Sequence, residues 1–164
     1  MNRLRCFLLI AFCGGLLGCD HATKLAAEHE LGAGRVVSVV PNVLELRYAQ
    51  NHDVAFSALQ QVDVPHKGWI LIAVMSVVLA FTIGMWIRHR KGKTNWDMGD
   101  AAYAFIVAGA LGNVIDRIVR GYVVDFIHLT HWPVFNVADA LIVIGLIGLG
   151  LSRSRERPVI SPPA

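Results

Sequence analysis

The sequence has few of the residues that stabilise small secreted domains or bind nucleic acids. Its three cysteines, Cys6, Cys13 and Cys19, all fall within one apolar stretch, which argues against a disulfide scaffold and suggests small packing residues. Charged residues make up only 16% of the chain, and the net charge of +3 gives no case for nucleic-acid binding. Internal repeats and low-complexity tracts are also absent.

Apolar residues dominate what remains. They account for 55% of the 164 residues, and the mean hydropathy is +0.53, as expected of a membrane protein. Spanning a bilayer takes ~20 residues of helix, and four stretches approach that length: 5–23, 69–87, 98–115 and 134–151. We predict a mainly α membrane protein, a single integral-membrane domain with four transmembrane helices, an outer segment at 24–68 and a disordered-looking tail at 152–164.

The basic residues predict the orientation of these helices, because cytoplasmic connections carry an excess of Lys and Arg. Basic residues precede the first span, follow the second and follow the fourth: Arg3, Arg5; Arg88, Arg90, Lys91, Lys93; Arg153, Arg155, Arg157. Both termini and the connection after the second span should therefore be cytoplasmic. The two other connections, where acids and bases are mixed, should lie outside.

The outer segment is large enough for a small extramembrane structure. Arg35–Val40 and Val43–Tyr48 are rich in β-branched residues and flank the turn formers Pro41-Asn42, which predicts two β-strands joined by a turn. Gly32 is expected to end the helix before them. Residues 55–61 are predicted to form a short amphipathic helix lying against the membrane.

An acidic side chain interrupts the fourth apolar stretch. Asp139 lies within Val134–Leu151, and an acid inside a membrane helix costs at least ~2.5 kcal/mol. Such residues usually face a protein interior or a wet cavity and have a function. A second acid, Asp125, precedes it closely enough along the chain to meet it at the membrane surface.

Other polar residues lie at the same ends of the predicted spans, at spacings that place them on one helix face. They are Asp20 and Lys24 (i, i+4), Asn113 and Asp116 (i, i+3) with Arg117 adjacent, and Asn136 and Asp139 (i, i+3). With the predicted topology they converge near the surface of the outer leaflet. For Asp20 with Lys24 and Asp116 with Arg117 we expect structural ion pairs, whereas Asp139 has no base near it in its own helix.

Paired carboxylates suit aspartyl hydrolysis. Two acids held close together cannot both ionise easily, so one takes a proton from water while the other donates a proton to the substrate carbonyl. Asp125 and Asp139 are the predicted pair. Asn113, Asn136 and Arg117 would hydrogen-bond and charge-balance them.

A rival interpretation uses His128 and His131, whose His-x-x-His spacing, together with Asp125, could hold a metal ion. This motif lacks the glutamate of His-Glu-x-x-His, and Trp132-Pro133 follows at once, which disfavours a regular helical ligand face. We therefore predict that the two histidines form a loop pair at the headgroup level.

Five segments resemble, in order and context, those of the lipoprotein signal peptidases, also called signal peptidase II. They are Asp20-His-Ala-Thr-Lys24, Asn51-His-Asp-Val-Ala-Phe-Ser57, Gly112-Asn-Val-Ile-Asp-Arg117, Val123-Val-Asp-Phe-Ile127 and Phe135-Asn-Val-Ala-Asp139. The resemblance spans nearly the whole chain from Asp20 to about Leu151. It implies an aspartyl protease of the bacterial inner membrane that removes signal peptides from prolipoproteins whose cysteine carries a diacylglyceryl group.

The resemblance also implies residue roles. Asp125 and Asp139 would be the catalytic dyad, and Asp20 with Lys24 would support the outer end of the first helix. The residues lining or bracing the site would be Asn51, Asn113, Asp116, Arg117 and Asn136. The outer strands would form a cradle on the membrane, and the segment after Asn51, with Phe56, a lid over the substrate.

Expected partners are diacylglyceryl prolipoproteins, membrane lipid and cyclic depsipeptide inhibitors of the globomycin type. The resemblance implies no metal and no cofactor, and the enzyme is expected to be a monomer. One position departs from the family pattern Asn-x-Gly-Ala-Ala-Phe, because Asp53 replaces the glycine. Aspartate tolerates a positive φ better than most residues, so the turn is compatible with it.

Two alternatives belong to other classes. One is a polar-cored transporter that uses Asp139 and Asp116 as proton carriers, although the spans show no Gly/Pro-broken repeat pair. The other is a lipoprotein or structural subunit modified at Cys19, because the first 19 residues also resemble a lipoprotein signal peptide. Three further spans, and the Asp20–Lys24 pair directly after that cysteine, favour retention of the first helix.

Overall fold

The computed structural model describes residues 3–52, 67–93 and 95–156. Its helices are α1 (Arg3–Leu31), α2 (Lys67–Arg90), α3 (Met98–Arg120) and α4 (Val137–Glu156), and its strands are β1 (Val36–Val40), β2 (Leu44–Asn51) and β3 (Val123–Leu129). Three helical segments are long and apolar enough to cross a membrane: Phe7–Leu31, Gly68–Arg90 and Met98–Arg120. The apolar part of α4, Val137–Ser152, is shorter. The predicted combination of membrane helices with a small β-structure is confirmed.

The helix α3 lies at the centre of the bundle and packs against the three other helices. It begins with a capping box, in which the Asp97 side chain accepts the backbone N–H of Asp100 while the Asp100 side chain accepts that of Asp97. It ends at Gly121, whose φ of 81° is the left-handed conformation that glycine adopts most easily. Both ends of the central helix are therefore defined by local sequence.

The other helices expose large apolar side chains. Ile10 on α1, Val77 on α2 and Ile147 on α4 are 70%, 69% and 59% exposed. Exposed apolar surface on this scale, along helices long enough to span hydrocarbon, is the surface that lipid covers in a membrane protein. The polar side chains of the bundle are correspondingly concentrated inside it and at its ends.

Glycines allow α3 and α4 to approach closely. A Cβ atom on Gly109 would lie 2.3 Å from the backbone oxygen of Ala138, and one on Gly145 would lie 2.6 Å from that of Ala102. Small residues let the backbones of membrane helices come together in this way. The close contact places the C-terminal half of α3 beside the first turn of α4.

The three strands form an antiparallel sheet in the order β1-β2-β3 at one end of the bundle, which we call the sheet end. β1 and β2 confirm the two predicted strands, and Asn42 in the turn between them has a φ of 59°. The third strand was not predicted. It pairs with β2 so that Asp125 lies opposite Ala49 and Val123 lies opposite Asn51.

Several helices extend beyond the predicted spans. α1 continues to Leu31, where Ala27 and Leu31 pack against Phe126 of β3 and so attach the sheet to the bundle. α4 continues to Glu156, so residues 152–156 are helical and not part of a tail. The predicted amphipathic helix at 55–61, with Phe56, lies outside the described residues, as do Asp53 and residues 157–164.

We expect Gly109→Ala to lower the apparent melting temperature in detergent, because the new methyl group would force α3 and α4 apart. Overpacking of this kind costs about 1–3 kcal/mol. The matched control is Gly84→Ala in α2, where an added Cβ would meet no atom within 4 Å. Because alanine favours helix over glycine, the control should melt at the wild-type temperature or above it. Equal melting temperatures for both variants would contradict this account of the helix contact.

Candidate active site

A cavity of about 290 Å³ opens at the sheet end between α2, α3, α4 and β3. Its apolar lining is Met75, Val123, Val134, Ile142 and Val143, and its polar lining is Asn51, Asn113, Arg117, Asp125 and Asp139. The two acids identified from the sequence thus line one cavity from two different elements. The polar groups come from four elements, β2, α3, β3 and α4.

Asp139 is positioned by the first turn of α4. Its backbone N–H donates to Asn136 Oδ1 at 3.0 Å, and its Oδ2 accepts the backbone N–H of Asn136 at 3.3 Å. These reciprocal bonds are those of a capping box, and a carboxylate in the first helical turn also interacts favourably with the helix dipole. The acid that interrupts the apolar stretch is therefore part of the start of the helix.

Asp125 is positioned by β3 and by two asparagine side chains. Asn136 Nδ2 donates to its Oδ1 at 2.7 Å, and Asn51 Nδ2 donates to its Oδ2 at 2.8 Å. Burial, the largest cause, and the neighbouring Asp139 carboxylate raise the pKa of Asp125 to about 6, against the opposing effect of the two amide donors. Asp125 therefore titrates close to neutral pH.

A buried ammonium group supports the site from the side of α1. Lys24 is 0% exposed, and its Nζ lies 2.8 Å from Asp20 Oδ2, 2.9 Å from Asp116 Oδ2 and 3.0 Å from Asn113 Oδ1. A lysine ammonium has three donors, so all of them are used. Asp20 Oδ1 in turn accepts the backbone N–H of Ala138 at 2.8 Å. The ion pair predicted between Asp20 and Lys24 is present, within a larger network.

Asn113 joins this network to the acids in the cavity. Its Oδ1 accepts from Lys24 and, at 3.2 Å, from Asn136 Nδ2, while its own Nδ2 donates to Asp139 Oδ1 at 2.8 Å. The side-chain amide of Asn113 thus links the buried ammonium of Lys24 to the partly buried carboxylate of Asp139 through hydrogen bonds, and it adds no charge. We call the connected side chains of Asp20, Lys24, Asn113, Asp116 and Asn136 the support network.

The structure gives Asp116 partners other than the one we expected. We expected Asp116 to pair with Arg117, but adjacent residues of a helix do not face each other. Asp116 contacts Lys24 and, at 3.5 Å, the Nε of Arg120 one turn further along α3. Arg117 lines the cavity instead, and Arg120 also forms an ion pair with Glu28 of α1. The i, i+4 spacing of Asp116 and Arg120 was the sequence signal for this pair.

His128 and Asp125 do not form a shared metal site. Successive side chains of a strand point to opposite faces, so residues three apart face opposite ways. His128 Nδ1 lies 3.5 Å from Glu45 Oε2 of the neighbouring strand, whereas Asp125 faces the cavity. His131 follows the strand in a turn with a φ of 65°.

Within residues 3–52, 67–93 and 95–156, one group of three side chains offers donor atoms close enough for a metal ion: His89, Asp97 and Asp100, within 4.8 Å of one another. It lies at the opposite end of the bundle from the cavity. Lys93 already donates to Asp97 at 2.6 Å, and Arg90 to Asp100 at 2.7 Å. Burial would raise the pKa of Asp97, but hydrogen bonds from Lys93 and His89 outweigh it and hold the pKa well below its usual range. This cluster is an ion-pair network that joins the end of α2 to the start of α3.

A bundle of membrane helices with two carboxylates in one cavity has the arrangement of an aspartic-type membrane peptidase. Comparison with known protein families gives the same class, because the family model for signal peptidase (SPase) II matches residues 12–153. The chain therefore belongs to the signal peptidase II family.

Individual relatives agree with this assignment, and a solved structure has the same fold. The chain is 38% identical over 143 residues to the lipoprotein signal peptidase of Sinorhizobium fredii, covering 85% of this chain and 78% of the relative. It is 35% identical over 142 residues to that of Clostridium novyi, covering 84% and 90%. A solved bacterial membrane enzyme superposes with a TM-score of 0.77 at 23% identity, covering 96% of this chain and 93% of that chain, which supports the fold.

We expect the apparent melting temperature of Asp125→Asn to rise relative to that of the wild type as the pH is raised from 4.5 to 7.5. The folded pKa of about 6 lies above the ordinary value of 3.8, so folding favours the protonated acid. The stabilising contribution is present at low pH and is lost as the pH rises through about 6. Above that pH the ionised side chain destabilises the fold, and the amide removes this effect, giving about 2–4 °C for each kcal/mol in a chain of this size.

The gain should shrink as the pH is lowered from 7.5 to 4.5, measured by thermal unfolding in detergent. Glu45→Gln, the same chemical change on a half-exposed residue of β2, serves as the control and should show little of this dependence. A difference between Asp125→Asn and wild type that stays constant over the pH range would rule out the raised pKa as its cause.

Proposed function

We propose that Asp125 and Asp139 are the catalytic dyad with which this member of the signal peptidase II family removes signal peptides from prolipoproteins. The observation that carries the proposal is that two carboxylates from separate elements, β3 and α4, line one cavity and are each held by asparagine amides. Holding both oxygens of each acid fixes the geometry that acid–base chemistry requires.

The dyad works with one shared proton. The ionised carboxylate accepts a proton from a water molecule as the water oxygen attacks the scissile carbonyl carbon, and the protonated carboxyl donates to the carbonyl oxygen. When the tetrahedral intermediate breaks down, the carbon–nitrogen bond cleaves and a proton passes to the leaving amine. A pKa of about 6 for Asp125 supports this role, because the pair then changes protonation state near neutral pH.

The substrate is a prolipoprotein whose cysteine carries a diacylglyceryl group, cleaved before that cysteine. The lipid would hold the scissile bond at the outer leaflet of the bacterial inner membrane, where we place the sheet end. The cluster Arg88, Arg90, Lys91 and Lys93 lies at the opposite end of the bundle, which supports a cytoplasmic position for that end and for both termini. The apolar wall of Met75, Ile142 and Val143 suits a lipid-bearing substrate or a cyclic depsipeptide inhibitor of the globomycin type.

The two alternative functions are not favoured. A proton carrier must be free to load and release a proton, whereas Asp116 is 1% exposed and paired with Lys24. A lipoprotein cleaved before Cys19 would lose the apolar part of α1, while the family match begins at residue 12 and so includes part of it. We further propose that the enzyme acts as a monomer, because one chain supplies every group of the cavity.

Asp125→Asn and Asp139→Asn should each abolish cleavage of a diacylglyceryl-modified prolipoprotein while the protein still accumulates in the membrane. Loss of one positioned acid or base costs about 10²- to 10⁴-fold in rate, and an amide can replace neither role. Cleavage is followed by the gel shift between precursor and mature forms. Glu45→Gln is the matched control, because this acid lies on the same sheet but does not line the cavity. Full activity in either dyad variant would end the proposal.

A strong chelator should leave the cleavage rate unchanged, and so should His128→Ala. The physical reason is that His128 lies against Glu45, on the other face of β3 from Asp125. The measurement is the same cleavage assay after preincubation with chelator and dialysis. Inhibition that is reversed by added metal ions would favour the histidine site over the dyad.

A further inference from the structure

Asn113 lies between a buried pair of acids and the acid Asp139 of the cavity, and its amide has to face both sides. On one side are the buried Asp20 and Asp116, which share Lys24, and on the other is Asp139, which is partly buried. An asparagine amide offers an acceptor oxygen in one direction and a donor NH₂ group in the other, and the two can be exchanged by rotation of the group. The orientation of this amide determines whether Asp139 faces its NH₂ donor or its acceptor oxygen.

The ammonium of Lys24 determines that direction, because it can donate but cannot accept. It lies 3.0 Å from Asn113 Oδ1, which leaves Nδ2 facing Asp139. Without the ammonium, the Oδ2 atoms of Asp20 and Asp116 would each lose a donor 2.8–2.9 Å away and would compete for the NH₂ group of Asn113. Asn136 gives the present orientation a second, longer bond of 3.2 Å.

We propose that Lys24 is a positioning residue for the dyad, which holds the Asn113 amide with its N–H toward Asp139 and keeps that acid able to act as the ionised partner. The inference rests on the proposed function of Asp125 and Asp139. The inference goes beyond support of the first helix, because Lys24 affects the reaction by orienting the side-chain amide of Asn113.

The charged groups around Asn113 come from every element packed against it except α2, whose described contribution to the cavity is Met75. They are Asp20 and Lys24 on α1, Asp116, Arg117 and Arg120 on α3, Asp125 on β3 and Asp139 on α4. Removing Lys24 therefore has two separable effects on the dyad. It takes away a positive charge, and it frees the Asn113 amide to rotate.

The pair Lys24→Gln and Lys24→Met separates these effects. Both side chains are neutral and of equal length, so both leave the same acids uncompensated, but only glutamine has an N–H that can donate toward Asn113 Oδ1. The readouts are kcat, KM and the midpoint of the acidic limb of the pH–rate profile, all per folded enzyme. Losing a hydrogen bond to a carboxylate disfavours its ionised form, which moves that midpoint to higher pH.

We expect Lys24→Met to have a kcat about tenfold below that of Lys24→Gln, the size expected for one hydrogen bond to a charged group. Its acidic midpoint should lie about one pH unit higher, with KM similar in the two variants because the bond is made to Asp139 and not to substrate. In an Asn113→Leu background the difference between glutamine and methionine should disappear, since the amide through which Lys24 acts is gone.

Identical profiles for Lys24→Gln and Lys24→Met, or a difference that persists with Asn113→Leu, would overturn the inference and leave Lys24 a purely structural residue. If Lys24→Met does not accumulate, Lys24→Gln and Lys24→Met are both repeated in an Asp116→Asn background. That background removes one of the two buried carboxylates that lose their partner with Lys24. The wild-type enzyme and Asp139→Asn are assayed alongside. Activity in Asp139→Asn would reject the dyad itself, whatever the lysine variants show.

Discussion

The burial of one ammonium group, that of Lys24, is the constraint on which the rest of the site depends. A buried charge is tolerated only when it is paired and its hydrogen bonds are satisfied, and removing one partner typically costs about 3–5 kcal/mol. The partners of Lys24 come from α1 and α3, and they reach further: Asp20 accepts the backbone N–H of Ala138 in α4, and Asp116 accepts that of Val124 in β3. Lys24 is thereby linked, directly or through its two partners, to α1, α3, α4 and β3.

Neutral amides are well suited to connect this cation to the acids. Asn113 and Asn136 each offer an acceptor on one side and donors on the other, so they satisfy charged groups without adding a charge that would itself need a partner. Glycines at the contact of α3 with α4 make the arrangement possible, because Asn113 and Asp139 can meet only if the two backbones come close. The close packing of α3 against α4 therefore also determines the geometry of the site.

Much of this could be predicted from the sequence, because helix spacing and the cost of intramembrane charge are local properties. The spans, the i, i+4 pair of Asp20 and Lys24 and the significance of Asp139 follow from them. β3 carries the same local signal of β-branched and aromatic residues, which we overlooked. Its pairing with β2 could not be found this way, since it joins residues more than 70 positions apart and includes an irregularity between Leu46 and Ala49. That register places Asn51 beside Asp125, so Asn51 was identified only through the family resemblance. The partners of Asp116 depend on how α1 and α3 pack, which spacing within one helix does not report.

The capping box at the start of α4 has a consequence for the biogenesis of the enzyme. Asp139 and Asn136 both enter with the last helix, and Asn136 also supplies one of the amides that hold Asp125. A nascent chain with three helices in the membrane lacks one acid and leaves the other incompletely held. If Asp125 and Asp139 are the dyad, as we propose, the site is complete only after insertion of the final helix, and an unfinished peptidase in the membrane would be unable to cleave neighbouring polypeptides.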